Sequence, residues 1–157
     1  MNTSYYLRRW ITAAVATLVM TTAVAVPPSK SDAKLPAFKN VKVQTQEFLR
    51  WADVSLAPEQ QKIKDDVLSS IPTVCCKKFS MKTCCCPCNM AMTIWGLSNY
   101  MLAVKGADAT QLKTAVLEWV RFIGPTGYTG DACFTAGCNR PFAKNGCGGM
   151  EAKSVIF

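Results

Sequence analysis

Four cysteines fall within five positions, Cys84, Cys85, Cys86 and Cys88, in the run KTCCCPCNMAM over residues 82–92. Cys75 and Cys76 precede this run, and Cys133, Cys138 and Cys147 lie in a later glycine-rich segment, so the chain holds nine cysteines and no histidine. Three chemistries use thiols at such density: soft-metal coordination, thiol redox exchange and disulfide stapling. An odd count leaves at least one thiol over after pairing within the chain. Adjacent cysteines project in different directions, so Cys75 with Cys76, or Cys84 with its neighbours, cannot bond without distorting the peptide between them. The three downstream cysteines are too few to serve the six upstream ones. Pairing the two upstream groups with each other would close only short loops, which stabilise little. One soft ion, by contrast, accepts several thiolates from a tight turn and others from a remote loop.

The candidate metal ligands are therefore Cys75, Cys76, Cys84, Cys85, Cys86, Cys88, Cys133, Cys138 and Cys147, with Met150 in CGGM as the thioether candidate. Thiolate density without histidine, and methionines at 81, 90, 92 and 150, favour Cu(I); zinc on four thiolates fits nearly as well, and an iron-sulfur cluster is compatible. Met90 and Met101 also fit a helix's apolar stripe as core residues. Pro87 suits a first helical position, which places Cys86 at the N-cap and Cys88 just inside, where free N–H groups favour a thiolate. Lys77, Lys78 and Lys82 stand among the thiols as solvated charges or as electrostatic support for thiolates. Cys85 and Cys88 have CxxC spacing, which can chelate an ion or cycle as a redox dithiol.

Two family resemblances attach to these residues. IPTVCC at 71–76, followed by a helix pair and by DACF at 131–134, resembles the exported PCYCGC-motif proteins, a Cys-rich bacterial family without an established function, although the chain has no PCYCGC string. CPCN at 86–89, with the helix hairpin NYMLAVKGADATQLKTAVLEWVRF, resembles the cytochrome c maturation thiol reductases. That second resemblance implies Cys85 and Cys88 as a redox pair, with the asparagine one position closer to the second cysteine than in the family. Apart from DACF, the two resemblances cover residues 71–122 at most.

The elements that position these thiols read as helices. TQEFLRWADVSL at 45–56 makes a short packing helix with Phe48, Leu49, Trp51 and Val54. Pro58 and Glu59 open a second, with Ile63, Val67, Leu68 and Ile71 on one stripe, ending before Pro72. Met90, Ile94, Leu97, Met101, Leu102 and Val104 predict a third from Pro87 to Lys105, closed by Gly106. Asp108 caps a fourth reaching Ile123, whose apolar face carries Leu112, Ala115, Val116, Trp119 and Val120. No run alternates long enough for a strand. The fold class expected is all-α: a small helical domain built on a helix hairpin, with a Cys/Gly-rich loop region held by metal or disulfides, because that loop lacks apolar residues to hold itself.

At the start, Arg8 and Arg9 precede an apolar run from Trp10 to Val26 and the small residues Ala23 and Ala25, the layout of a secretory signal. Threonines interrupt the run, which falls short of the roughly 20 apolar residues that span a bilayer, so no stable membrane span is expected after cleavage. The paired arginines also permit twin-arginine export. The domain expectation is a signal at 1–25, a Pro/Ser/Lys-rich linker at 26–44 and one Cys-rich helical domain at 45–157. The formal charge is +8, two of it from Arg8 and Arg9, with the remaining basic residues scattered, which argues against nucleic acid as a partner. Without histidine there is no Ser/His/Asp constellation, and Asp65, Asp66 and Glu118 read as solvated helix positions. The function expected is an exported periplasmic or secreted protein that binds a soft metal ion, a role that requires no catalytic acid or base. The alternatives are a disulfide-stapled interaction protein of the cell envelope, with an envelope protein as partner, and a periplasmic thiol-disulfide oxidoreductase using Cys85 and Cys88.

Overall fold

The computed structural model describes residues 34–128, 130 and 136–157. The segment read as an export signal, and Cys133, lie outside these residues. Among the described residues the chain forms α1 (Val41–Trp51), α2 (Pro58–Ser69), α3 (Asn89–Ala103) and α4 (Ala109–Ile123), then two 3-10 turns, Gly137–Asn139 and Phe142–Lys144. An isolated bridge between Pro72 and Ser80 is the extent of β pairing there, so the fold is all-α.

Local chemistry sets the helix starts. Asn40 accepts from the Val43 amide at 3.1 Å to cap α1. Pro58 opens α2, and Gln60 reaches back to the Ala57 amide at 3.2 Å while its Nε2 donates to the Leu102 carbonyl at 2.9 Å, tying α2 to the end of α3. Asp108 and Gln111 close a reciprocal capping box on α4, with bonds of 2.8 and 3.0 Å. Gly106, at φ +62, makes the left-handed turn between α3 and α4.

Helix α3 is the centre of the domain. It faces α4, where fully buried Trp119 donates from Nε1 to the Thr93 hydroxyl at 3.1 Å. On its other side α1 crosses at Gly96, where a Cβ would stand 1.7 Å from the Phe48 carbonyl oxygen, so only glycine admits this approach. Phe48 and Phe38 close over Trp119 with ring centroids at 5.0 and 5.2 Å. Asn99 on α3 donates to the carbonyls of Trp51, Ala52 and Val54, satisfying the end of α1, and accepts from Lys64 at 2.7 Å.

Three expectations are corrected. The stretch read as linker to residue 44 ends earlier: Leu35 and Phe38 pack against the core and α1 starts at Val41, because aromatic burial outweighs the Pro/Lys composition; Val54, expected on this helix, lies beyond it and is exposed. Helix α3 starts at Asn89, two residues after Pro87, with Cys88 itself at the N-cap. The tail is anchored by its own residues: Phe142 is 1 % exposed, Val155 and Phe157 pack against the core, and Ile156 donates to the Gly148 carbonyl at 2.8 Å. No described helix is long and apolar enough to cross a membrane.

Candidate functional site

The loop after α2 is a compact turn. The Thr73 amide donates to Phe79 at 2.9 Å, Met81 donates to Ile71 at 2.8 Å, and the Thr73 hydroxyl donates to the Cys76 carbonyl. Trp95 of α3 donates from its indole to the Met81 carbonyl at 2.9 Å and fixes this turn on the helix. Cys75 is thereby buried at the entrance to the core, 1 % exposed. Beyond Thr83 the cysteine run leads to the start of α3, where the tail meets it. There the amides of Asn89 and Met90 donate to the Gly149 and Cys147 carbonyls at 2.9 and 3.0 Å, and the Asn89 side chain donates to Gly148 and Glu151.

Four thiols from these three segments meet in a ring. Cys84 hydrogen-bonds with Cys75 and with Cys88, and Cys147 hydrogen-bonds with Cys88 and with Cys75. Cys75, Cys88 and Cys147 are buried and Cys84 is half-buried. The Cys75 and Cys88 thiols, helped by the Cys86 amide, hold Cys84 far below the ordinary thiol value, at about 3, against the cost of its burial. Cys147 favours a Cys88 thiolate, but the contact with Cys84 and desolvation outweigh it and push Cys88 up to about 12. Contacts with Cys75 and Cys88, and then burial, drive Cys147 strongly upward. The ring therefore favours one thiolate, at Cys84, and resists a second because like charges would face each other in a poorly solvated space.

Two residue types around this ring were not assigned to it from sequence. Met81 and Met90, both buried, line a small cavity together with Cys75 and Cys84; their only sequence signal was proximity, and Met90 reads equally well as core. Tyr128 is half-buried with its hydroxyl donating to the Gly146 carbonyl at 3.4 Å, and burial followed by the charge of Cys147 raises its pKa. Gly124 makes room for it, since a Cβ there would lie 2.1 Å from the Tyr128 ring. Nothing in the TGYTG composition announced that position.

The remaining candidates separate from the ring. Cys85 is exposed, with its sulfur 3.3 Å from that of half-buried Cys86. The Cys85 thiol favours a Cys86 thiolate, but burial and contact with Cys138 prevail and raise Cys86. Cys76 is buried beside Cys75, Met150 is exposed, and Cys133 lies outside the described residues. Lys82 pairs with Asp65 at 3.0 Å, while the Lys77 side chain runs over Gly130. The two cysteines of the CxxC spacing fall on different sides, Cys85 at the surface and Cys88 in the core. Among the described residues no group of three or more Cys, Asp or Glu side chains is placed to hold a metal ion as the side chains stand. No family model, curated protein or solved structure matches this chain.

Proposed function

We propose that the protein is an exported binder of a soft metal ion, held by Cys75, Cys84, Cys88 and Cys147. The observation that carries this reading is the closed ring of contacts among four thiols drawn from a loop, a helix cap and a tail more than 50 residues away in sequence. A tetrahedral ion with metal–sulfur bonds of about 2.3 Å holds its sulfurs about 3.8 Å apart. That spacing is close to thiol–thiol contact, so small side-chain rotations convert pairwise contacts into a common centre. A cation also removes the repulsion that otherwise limits the ring to one thiolate, which allows all four to ionise and releases their protons. Burial then protects the bound ion from competing water.

The thioethers of Met81 and Met90 beside Cys75 and Cys84 favour Cu(I) over zinc, since sulfur-rich, weakly polar surroundings suit the softer ion. An iron-sulfur cluster uses the same donors. The competing reading is a stapled scaffold, and the ring supports it in one respect: its contacts divide into two complete pairings, Cys75 with Cys147 and Cys84 with Cys88, or Cys75 with Cys84 and Cys88 with Cys147. Redox cycling of Cys85 with Cys88 has less support, because the two lie in different surroundings.

Elemental analysis with a thiol count on protein isolated without oxygen tests the reading. Near one equivalent of copper or zinc, with the four ring cysteines unreactive toward alkylation, is the expected result. Protein free of metal, with ring cysteines oxidised in pairs, would transfer the case to stapling.

A further inference from the structure

The three consecutive cysteines do not share one environment. Cys84 belongs to the buried ring, whereas Cys85 is exposed and Cys86 half-buried, with their sulfurs 3.3 Å apart. Cys86 also contacts Cys138, the half-buried cysteine of the first 3-10 turn. That turn is built into the fold. Its Gly137 carbonyl accepts from the Cys147 amide at 2.8 Å, and the Cys138 carbonyl accepts from the Gly149 amide at 2.9 Å. The tail segment that presents Cys147 to the buried ring thus holds Cys138 against the outer pair. Each thiol group takes one cysteine from the tail and the rest from upstream segments, and Cys84, which hydrogen-bonds with Cys85, joins the two groups.

We propose that Cys85, Cys86 and Cys138 form a second, surface site for a low-coordinate soft ion of the Cu(I) class, from which the ion exchanges with external thiols. Few ligands and an exposed sulfur suit delivery: an incoming thiolate reaches the ion by ligand substitution at Cys85, with no change in oxidation state. The buried ring offers no such approach and suits retention. The proposal shares the soft-ion chemistry assigned to the ring, but rests on different side chains and is tested apart from them.

The full chain, reduced and stripped of metal, is titrated with Cu(I) under anaerobic conditions against a chromophoric chelator, beside the variant C85S/C86S/C138S. The parent is expected to show two classes of bound ion, one exchanging with an added low-molecular-weight thiol within minutes and one retained. The variant should lose the exchanging class and keep the other. Cu(I) should also shield Cys85, Cys86 and Cys138 from alkylation in the parent. A variant that keeps both classes, or a parent in which these cysteines alkylate equally fast with and without Cu(I), overturns the second site. C84S/C147S separates the two readings: loss of the retained class alone supports both, while a parent showing only the exchanging class refutes the ring and leaves the surface site standing. If the triple variant does not fold, Cys138→Ser decides by the same readout, since lost shielding at Cys85 and Cys86 supports the site and unchanged shielding overturns it.

Discussion

The backbone amide of Asn89 donates to the carbonyl of Gly149 at 2.9 Å. With Met90 donating to Cys147, the first two free N–H groups of α3 are satisfied by the tail and not by a thiolate. The helix start therefore works as a clamp for the tail. Cys88, at the N-cap, turns its sulfur toward Cys84 and Cys147 and also meets the backbone of Ala91 in the first turn of α3.

The Asn89 side chain completes the clamp by donating to Gly148 at 2.8 Å and to Glu151 at 3.0 Å. Asn89→Ala leaves buried carbonyls without donors, for which about 1–3 kcal/mol is the expected cost. Chemical denaturation measures this loss, and limited proteolysis should show earlier cleavage in residues 145–157. A variant within about 0.3 kcal/mol of the parent, with an unchanged digest, would mean that the backbone bonds alone hold the tail.

Phe142 separates apolar docking from docking by metal. Its ring is buried against Phe157, with centroids 6.1 Å apart, and a Cβ at Gly148 would stand 2.5 Å from it. Phe142→Ala should cost about 3–5 kcal/mol and expose the tail to protease. Removing metal with a chelator should leave the tail of the parent largely protected. Rapid cleavage of the chelated parent would restore the metal as the tail's principal anchor.

The helices were legible in the sequence because their signals are local. Apolar spacing of three and four, Pro58 at a helix start, Asp108 at an N-cap, and Gly106 after the last apolar residue each act within one turn of where they stand. The start of α3 was misread for a non-local reason: Pro87 is compatible with a first helical turn, but carbonyls from 147 and 149 meet the amides of 90 and 89 and fix the boundary. The cysteines were legible as a set and illegible as a partition. Whether Cys84 faces inward while Cys85 faces water depends on how the loop at 71–81 and the tail close over α3, and consecutive identical residues carry no trace of that. The tail's anchor was overlooked because a single Phe142 among glycines shows no period.

Gly96 gives a test of helix packing with an inverted sign. Replacing a glycine inside a helix by alanine ordinarily stabilises by about 0.5–1 kcal/mol. Here the new methyl would meet the Phe48 carbonyl at 1.7 Å, so α1 must move off α3. Gly96→Ala should destabilise by about 1–3 kcal/mol or more, read as a lowered Tm by circular dichroism. A gain in Tm would show that α1 is not seated where its contacts with α3 place it.

Trp119 is fully buried between α3 and the aromatic group formed by Phe38, Phe48 and Phe122. Trp119→Ala should cost about 3–5 kcal/mol from lost burial and the cavity left behind. Trp119→Phe keeps most of the apolar volume and loses the bond to Thr93, for which about 1 kcal/mol is expected. Equal losses in the two variants would place the weight on the indole hydrogen bond.

Cys76 and Cys84 make the sharpest internal comparison at the metal site. Both lie in the same pair of segments, but Cys84 sits in the ring with Cys75 and Cys88, whereas Cys76 is buried beside the turn, where its carbonyl accepts from the Thr73 hydroxyl and the Phe79 amide. Serine at 84 removes one of four sulfurs and offers a harder oxygen donor in its place, so retained metal should fall at least tenfold at fixed chelator concentration. Serine at 76 places a hydroxyl in an apolar position and should cost about 1–3 kcal/mol of stability while leaving metal retention within about twofold. Competition with a chelator, run beside thermal denaturation on both variants, checks the two effects separately. Equal metal loss in the two variants would make ligation collective across the cysteines, and unchanged retention in Cys84→Ser would remove the ring from the metal site.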